Sequence, residues 1–209
     1  MPLGIGGDSA IQDYYHPQTS KVPAAYSVQY FLPIAGLYDL PFGRGKSMLN
    51  RGPAAVVLGE WQFNVIAQFR SGQPFKLDAP GDVANIGNNV AWWNYARPNL
   101  VGNPYLSHPT QAEWFNTSAF AVPVLSYGNF GKDVLYTAPV HNVDLSLFKR
   151  FEFTERFKAE LRIESFNTFN IMNLGAPGNT LQSPKFGIIT SIAQGKQPRQ
   201  LQFGMKLLF

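Results

Sequence analysis

The stretch Val57-Leu58-Gly59-Glu60-Trp61-Gln62-Phe63-Asn64-Val65-Ile66-Ala67-Gln68-Phe69-Arg70 alternates with period two. One series reads Val57, Gly59, Trp61, Phe63, Val65, Ala67, Phe69. The other reads Leu58, Glu60, Gln62, Asn64, Ile66, Gln68, Arg70. In an extended chain successive side chains point to opposite faces, so one face is apolar and the other polar. Four more stretches share the pattern. Tyr26, Val28, Tyr30, Leu32, Ile34, Gly36, Tyr38 and Leu40 form one series. Val143, Leu145, Leu147, Lys149, Phe151 and Phe153 form another, and Phe157, Ala159, Leu161 and Ile163 a third. The chain closes on Leu201, Phe203, Met205, Leu207 and Phe209.

Strands in globular proteins usually run about 5–6 residues. These alternations run longer, toward the 9–11 or so residues a tilted strand needs to cross a bilayer. The expected class is therefore all-β: an antiparallel meander forming a segment of a transmembrane β-barrel. Its strands are expected near 25–40, 56–71, 141–153, 156–168 and 198–209, with a small extra strand at 186–192. Trp61, Phe63, Val65, Phe69, Leu145, Leu147, Leu161 and Ile163 should face outward. Gln62, Asn64, Gln68, Arg70, Asp144, Arg150, Lys158, Glu160, Arg162 and Glu164 should face a wet lumen or a plug, a wall of amides and mixed charge. Lys149, on the lipid face, should sit near a strand end and snorkel. Tyr26 and Tyr38, twelve residues apart in one series, span about 30 Å along a tilted strand, the spacing of two aromatic girdles.

Composition agrees. The chain has 209 residues, no cysteine, 14% charged and 14% aromatic residues. There is no disulfide framework or thiolate metal site, and no apolar run approaches the ~18–20 residues of a spanning helix. The net charge of +4 resides in residues 141–209, with nine Lys/Arg against five Asp/Glu. The acids interleave with the bases, which argues against a nucleic-acid partner. Connectors alternate in length: Thr154-Glu155-Arg156 is a tight turn, whereas about 71–140 and 170–197 are long and rich in Asn, Gly and Pro. Barrels have short periplasmic turns and long outer loops.

Several segments, in order, carry a resemblance. They are Tyr38-Asp39-Leu40-Pro41-Phe42-Gly43-Arg44-Gly45-Lys46, Gly59-Glu60-Trp61-Gln62, Ser71-Gly72-Gln73-Pro74-Phe75, Arg97-Pro98-Asn99 and Trp114-Phe115-Asn116 with Ala119-Phe120. Asn142-Val143-Asp144-Leu145-Ser146-Leu147-Phe148-Lys149, Glu164-Ser165-Phe166-Asn167-Thr168-Phe169-Asn170, Phe186-Gly187 and the stretch from Pro198 to Phe209 complete the set. The chain resembles the C-terminal part of TonB-dependent outer-membrane receptors, in particular the Oar-like group with a carboxypeptidase-regulatory-like domain. The resemblance implies a large barrel around a plug domain, and uptake of a scarce ligand driven by the TonB complex. It also implies that the barrel-assembly machinery reads the last strand, through Leu201, Phe203, Met205, Leu207 and Phe209. Five long strands are fewer than the ~8 a barrel needs. Residues 1–8 show no signal-peptide pattern, and no plug is recognisable. Residues 1–209 are accordingly expected to be one barrel segment of a longer receptor, with outer-membrane lipid, the plug of the same full-length protein and, through the missing part, TonB as partners.

Catalytic and cofactor motifs fall short. Gly43-Arg44-Gly45-Lys46-Ser47 has Leu at position 40, where a phosphate loop needs Gly. His16, His108 and His141 lack metal spacing, and His141-Asn142 has no Ser assigned to it by motif. Asp144, Glu160 and Glu164 fit a mixed-charge wall with Arg150, Lys158 and Arg162 better than a paired acid and base. No enzyme activity and no cofactor are expected. Trp92, Trp93 and Tyr95, beside Asn94, are the candidates for stacking on a ligand, against the plainer alternative of loop packing. Two other functional classes compete: a soluble β-sandwich that binds carbohydrate, and a structural or adhesive outer-membrane protein.

Overall fold

The computed structural model describes residues 12–209 except 14, 44, 50, 86–95, 133 and 155. The elements in chain order are β1 (Phe31–Asp39), α1 (Gly52–Leu58), β2 (Trp61–Arg70), β3 (Pro74–Phe75), β4 (Asn99–Leu100), β5 (Phe120–Ala121), β6 (Leu135–Tyr136), β7 (Val140–Glu152), β8 (Lys158–Phe166) and β9 (Gln200–Leu208). Single 3-10 turns lie at Pro17–Ser20 and Thr117–Ala119. No helix among the described residues is long and apolar enough to cross a membrane, which does not bear on crossing by strands. The chain divides into two compact units.

One unit holds residues 30–70, 140–172 and 195–209 and is a five-stranded antiparallel sheet in the order β1-β2-β7-β8-β9. Each long strand thus pairs with the next long strand along the chain, the predicted meander. Both short connections, 40–60 and 153–157, leave from one end of the sheet. The chain leaves for both long connections at the other end.

Three boundaries differ from expectation. Tyr26 lies in a turn outside β1, so the Tyr26–Tyr38 measure of girdle spacing does not hold. Residues 56–58 belong to α1 rather than to β2: Pro53 sits in the first helical turn, where its missing N–H costs nothing. Residues 186–192 form no strand and contribute only isolated bridges, Gly178 to Phe186 and Leu174 to Ile192. Two asparagines of the Glu164–Asn170 motif end β8. Asn167 and Asn170 take φ of 48° and 52°, the left-handed conformation Asn tolerates best after Gly. Asn167 then donates to the carbonyls of Ile171 (3.0 Å) and Gln197 (2.9 Å), and Asn170 accepts from the Arg199 amide at 3.0 Å. These bonds tie the exit of β8 to the entry of β9.

The other unit gathers residues 12–29, 71–139 and 173–194. These include the stretches read from sequence as outer loops, and they possess a core. Leu77, Phe115, Ala119, Phe120, Phe130, Leu135 and Leu181 are buried together, with Phe75, Trp114 and Phe186 packed against them. Phe115 meets Phe120 (5.7 Å between ring centres) and Phe186 (5.1 Å) edge to face, and Phe120 meets Phe130 the same way at 4.9 Å. The ring quadrupoles favour that geometry. The Trp114 indole donates to the Tyr136 carbonyl at 2.7 Å. Arg97, buried beside Gln12, donates to the Gln12 side-chain oxygen and to the Thr19 carbonyl (2.9 Å), and Gln12 donates to the Gly128 carbonyl at 3.0 Å. Burial draws the Arg97 guanidinium below its usual pKa. Gly128 permits the approach: a Cβ there would lie 1.8 Å from the Arg97 carbonyl oxygen.

Phe115 is 1% exposed, and truncating a buried Phe costs about 3–5 kcal/mol. Phe115→Ala should open this unit, raising amide exchange across 97–136 while β7 and β8 keep their protection. Unchanged exchange across 97–136 would show that the ring is not what holds it.

Candidate functional site

Register decides which side chains share a face. β2 faces β7 with Trp61 opposite Lys149, Phe63 opposite Leu147, Val65 opposite Leu145 and Phe69 opposite His141. β7 faces β8 with Leu147 opposite Ile163 and Lys149 opposite Leu161, and β8 faces β9 with Ile163 opposite Phe203 and Leu161 opposite Met205. On the other side, Ile34 and Tyr38 of β1 stand opposite Ala67 and Phe63. One face of the sheet is therefore an apolar band across all five strands. Leu201, Phe203, Met205 and Leu207 all stand on it, and Phe209, just beyond β9, is fully exposed.

The opposite face carries Gln62, Asn64, Gln68, Arg70, Asp144, Arg150, Lys158, Glu160, Arg162 and Glu164, all ten candidates of the polar wall. Glu160 lies between two arginines, Arg150 Nε at 3.4 Å and Arg162 Nε at 2.6 Å. Lys158 donates to Glu152 at 2.9 Å and Gln62 to Asp39 at 2.9 Å. Asp144 accepts from the Asn142 side chain and from the Asn167 amide, both at 2.8 Å. The Arg162 guanidinium also lies over the Phe148 ring, 5.1 Å from its centre. Exposed pairs of this kind are screened by solvent and contribute little to stability. Together they make a wall of alternating charge in which the acids and bases pair with one another. The Asn64 amide nitrogen is buried without a partner among the described residues.

At the short-turn end, Lys149 is placed where expected, three residues before the end of β7, but it does not reach out to water. It is 3% exposed and donates to the Gly59 carbonyl. The Trp61 and Phe151 rings lie 5.3 Å and 4.9 Å from its ammonium. The helix-ending carbonyl satisfies the charge instead of solvent, a partner the alternation pattern does not reveal. Trp92, Trp93 and Tyr95 lie outside the described residues.

An open sheet with one apolar and one polar face, carried on strands of 9–13 residues, is the geometry of a barrel wall. The family described as outer membrane beta barrel domain matches residues 3–202. The chain belongs to that family. Searches of curated proteins and of solved structures found no match. Family membership puts the protein in the outer membrane and sets aside the soluble sandwich; the meander is a segment of a β-barrel.

Proposed function

We propose that this barrel segment serves a TonB-dependent receptor of the Oar-like kind, which takes up a scarce ligand across the outer membrane. The observation that carries the reading is the mixed-charge face shared by β2, β7 and β8, opposite the apolar band. In this reading the band meets lipid and the charged wall faces the lumen, where it meets water and the plug of the same full-length protein. The short connections lie in the periplasm and the folded long ones outside the cell. Trp92, Trp93 and Tyr95, on the first long connection, are the ligand-contacting aromatics. The chain carries no catalytic step and holds no cofactor; the TonB complex supplies the energy.

A structural or adhesive barrel would share the sheet but not the coupling. In energised cells producing the full-length protein, formaldehyde should cross-link TonB to it, and dissipating the proton-motive force should change the yield. An assembled barrel that never cross-links to TonB would contradict the transport role and leave the adhesive one.

β9 supplies the proposed assembly signal. It pairs with β8 on one edge, and its other edge has no strand partner among the described residues. Leu201, Phe203, Met205 and Leu207 stand out from one face beside that edge, so an assembly machine can recognise the strand by edge pairing and by alternate side chains. Replacing both Phe203 and Phe209 by Ser should lower the assembled, heat-modifiable form several-fold while synthesis continues. Unchanged assembly would remove the role.

A further inference from the structure

Exposed apolar side chains are not confined to the strands. In the connection between β1 and β2, Met48 is 54%, Val56 50%, Val57 64% and Leu58 48% exposed. A connection that meets only water seldom presents such a cluster. It is also fixed in place. The Trp61 indole donates to the Val57 carbonyl at 3.2 Å, and Lys149 donates to the Gly59 carbonyl. Both side chains belong to the apolar face. The Glu60 amide donates to the Phe42 carbonyl (3.3 Å) and the Arg150 amide to the Glu60 carbonyl (3.2 Å). Gly59 makes the fit: a Cβ there would lie 2.2 Å from the Ala55 carbonyl oxygen and 2.5 Å from the Gly43 Cα. α1 is thereby tethered, through its last turn, to side chains of the apolar band.

Two more features mark this rim. Phe151, Phe153 and Phe157 form a ring cluster at the same end, with centres 6.1 Å and 5.4 Å apart. Residues 39–60 carry Arg44, Lys46 and Arg51 against Asp39 and Glu60; Lys46 pairs with Asp39 at 3.9 Å, whereas Arg51 is exposed at the N-cap of α1.

We propose that α1 is an interfacial anchor that lies in the headgroup–acyl boundary of the leaflet at the short-turn end. Val57, 64% exposed, dips toward the acyl chains, and Arg51, exposed at the N-cap of the helix, lies among lipid phosphates. The inference rests on the outer-membrane reading of the apolar band. Continuity with that band and the complementary charge select phospholipid as the occupant. Seven residues make a helix of about 10 Å, too short to span but suited to an interface.

Residues 1–209 contain no cysteine, so each introduced site is single within this segment, and any cysteine elsewhere in the full-length protein is replaced by serine first. The full-length protein, folded into vesicles of phosphatidylethanolamine and phosphatidylglycerol, is labelled with a polarity-sensitive fluorophore at Val57→Cys. Val65→Cys on the apolar band and Ser107→Cys, an exposed site in the other unit, serve as controls. The label at 57 should be quenched most by a nitroxide near the lipid headgroup and shielded several-fold from aqueous iodide relative to 107. At 65, the nitroxide deep in the acyl chain should quench most. Iodide quenching at 57 equal to that at 107 overturns the anchor. So does shielding from iodide without lipid quenching, because a protein partner would then cover the helix. If the label at 65 also escapes both nitroxides, the barrel reading fails and the anchor with it; failure at 57 alone removes only the anchor.

Discussion

In hydrocarbon no water is available to the main chain, so every backbone N–H and C=O must be satisfied within the protein. Only closed helices and paired strands meet that condition, and a paired strand exposes its side chains alternately. The five-stranded ladder satisfies it for the three inner strands, each paired on both edges. The same rule bears on the outer edges of β1 and β9, which in a membrane require strand partners as well. In the proposed reading lipid constrains one face and water the other. This is why Phe63, Leu147, Ile163 and Phe203 line up across four strands while Asn64, Ser146, Glu164 and Gln202 line up behind them.

That constraint also explains how much could be read from the sequence. Where both solvents act on a strand, the pattern is local and period two, and β2, β7, β8 and β9 follow from it with their order and faces. β1 is less distinct because its second face is also apolar, with Phe31, Pro33, Ala35 and Leu37 on it; alternation between two apolar series gives no boundary, and the expected start at residue 25 overran. The run Ala54 to Leu58 is five apolar residues, a length at which periodicity does not separate helix from strand. Pro53 was the usable signal, since Pro favours the first turn of a helix.

The folded unit built from the long connections lay beyond local reading for a different reason. Its core joins Leu77, Phe115 and Leu181, residues far apart in sequence, and its named strands are two residues long. No periodicity can express contacts of that range. The closely spaced Trp114, Phe115 and Phe120, within a stretch read as loop, were the available hint: several large aromatics in one connection imply burial somewhere. The seat of Lys149 was half legible. Its position near a strand end followed from the pattern, but its carbonyl partner depends on how the 40–60 connection folds back, which rests on the tight approach of Gly43 and Gly59.

The proposed assignment sets the apolar face against lipid and the charged face against water. Site-directed spin labelling along β2, from position 61 to 70 in vesicles containing the folded full-length protein, tests it most directly. Oxygen, which concentrates in lipid, should relax labels at 61, 63, 65, 67 and 69 most strongly. A water-soluble nickel chelate should favour 62, 64, 66, 68 and 70. The opposite phase, or equal access at every position, would rule this assignment out.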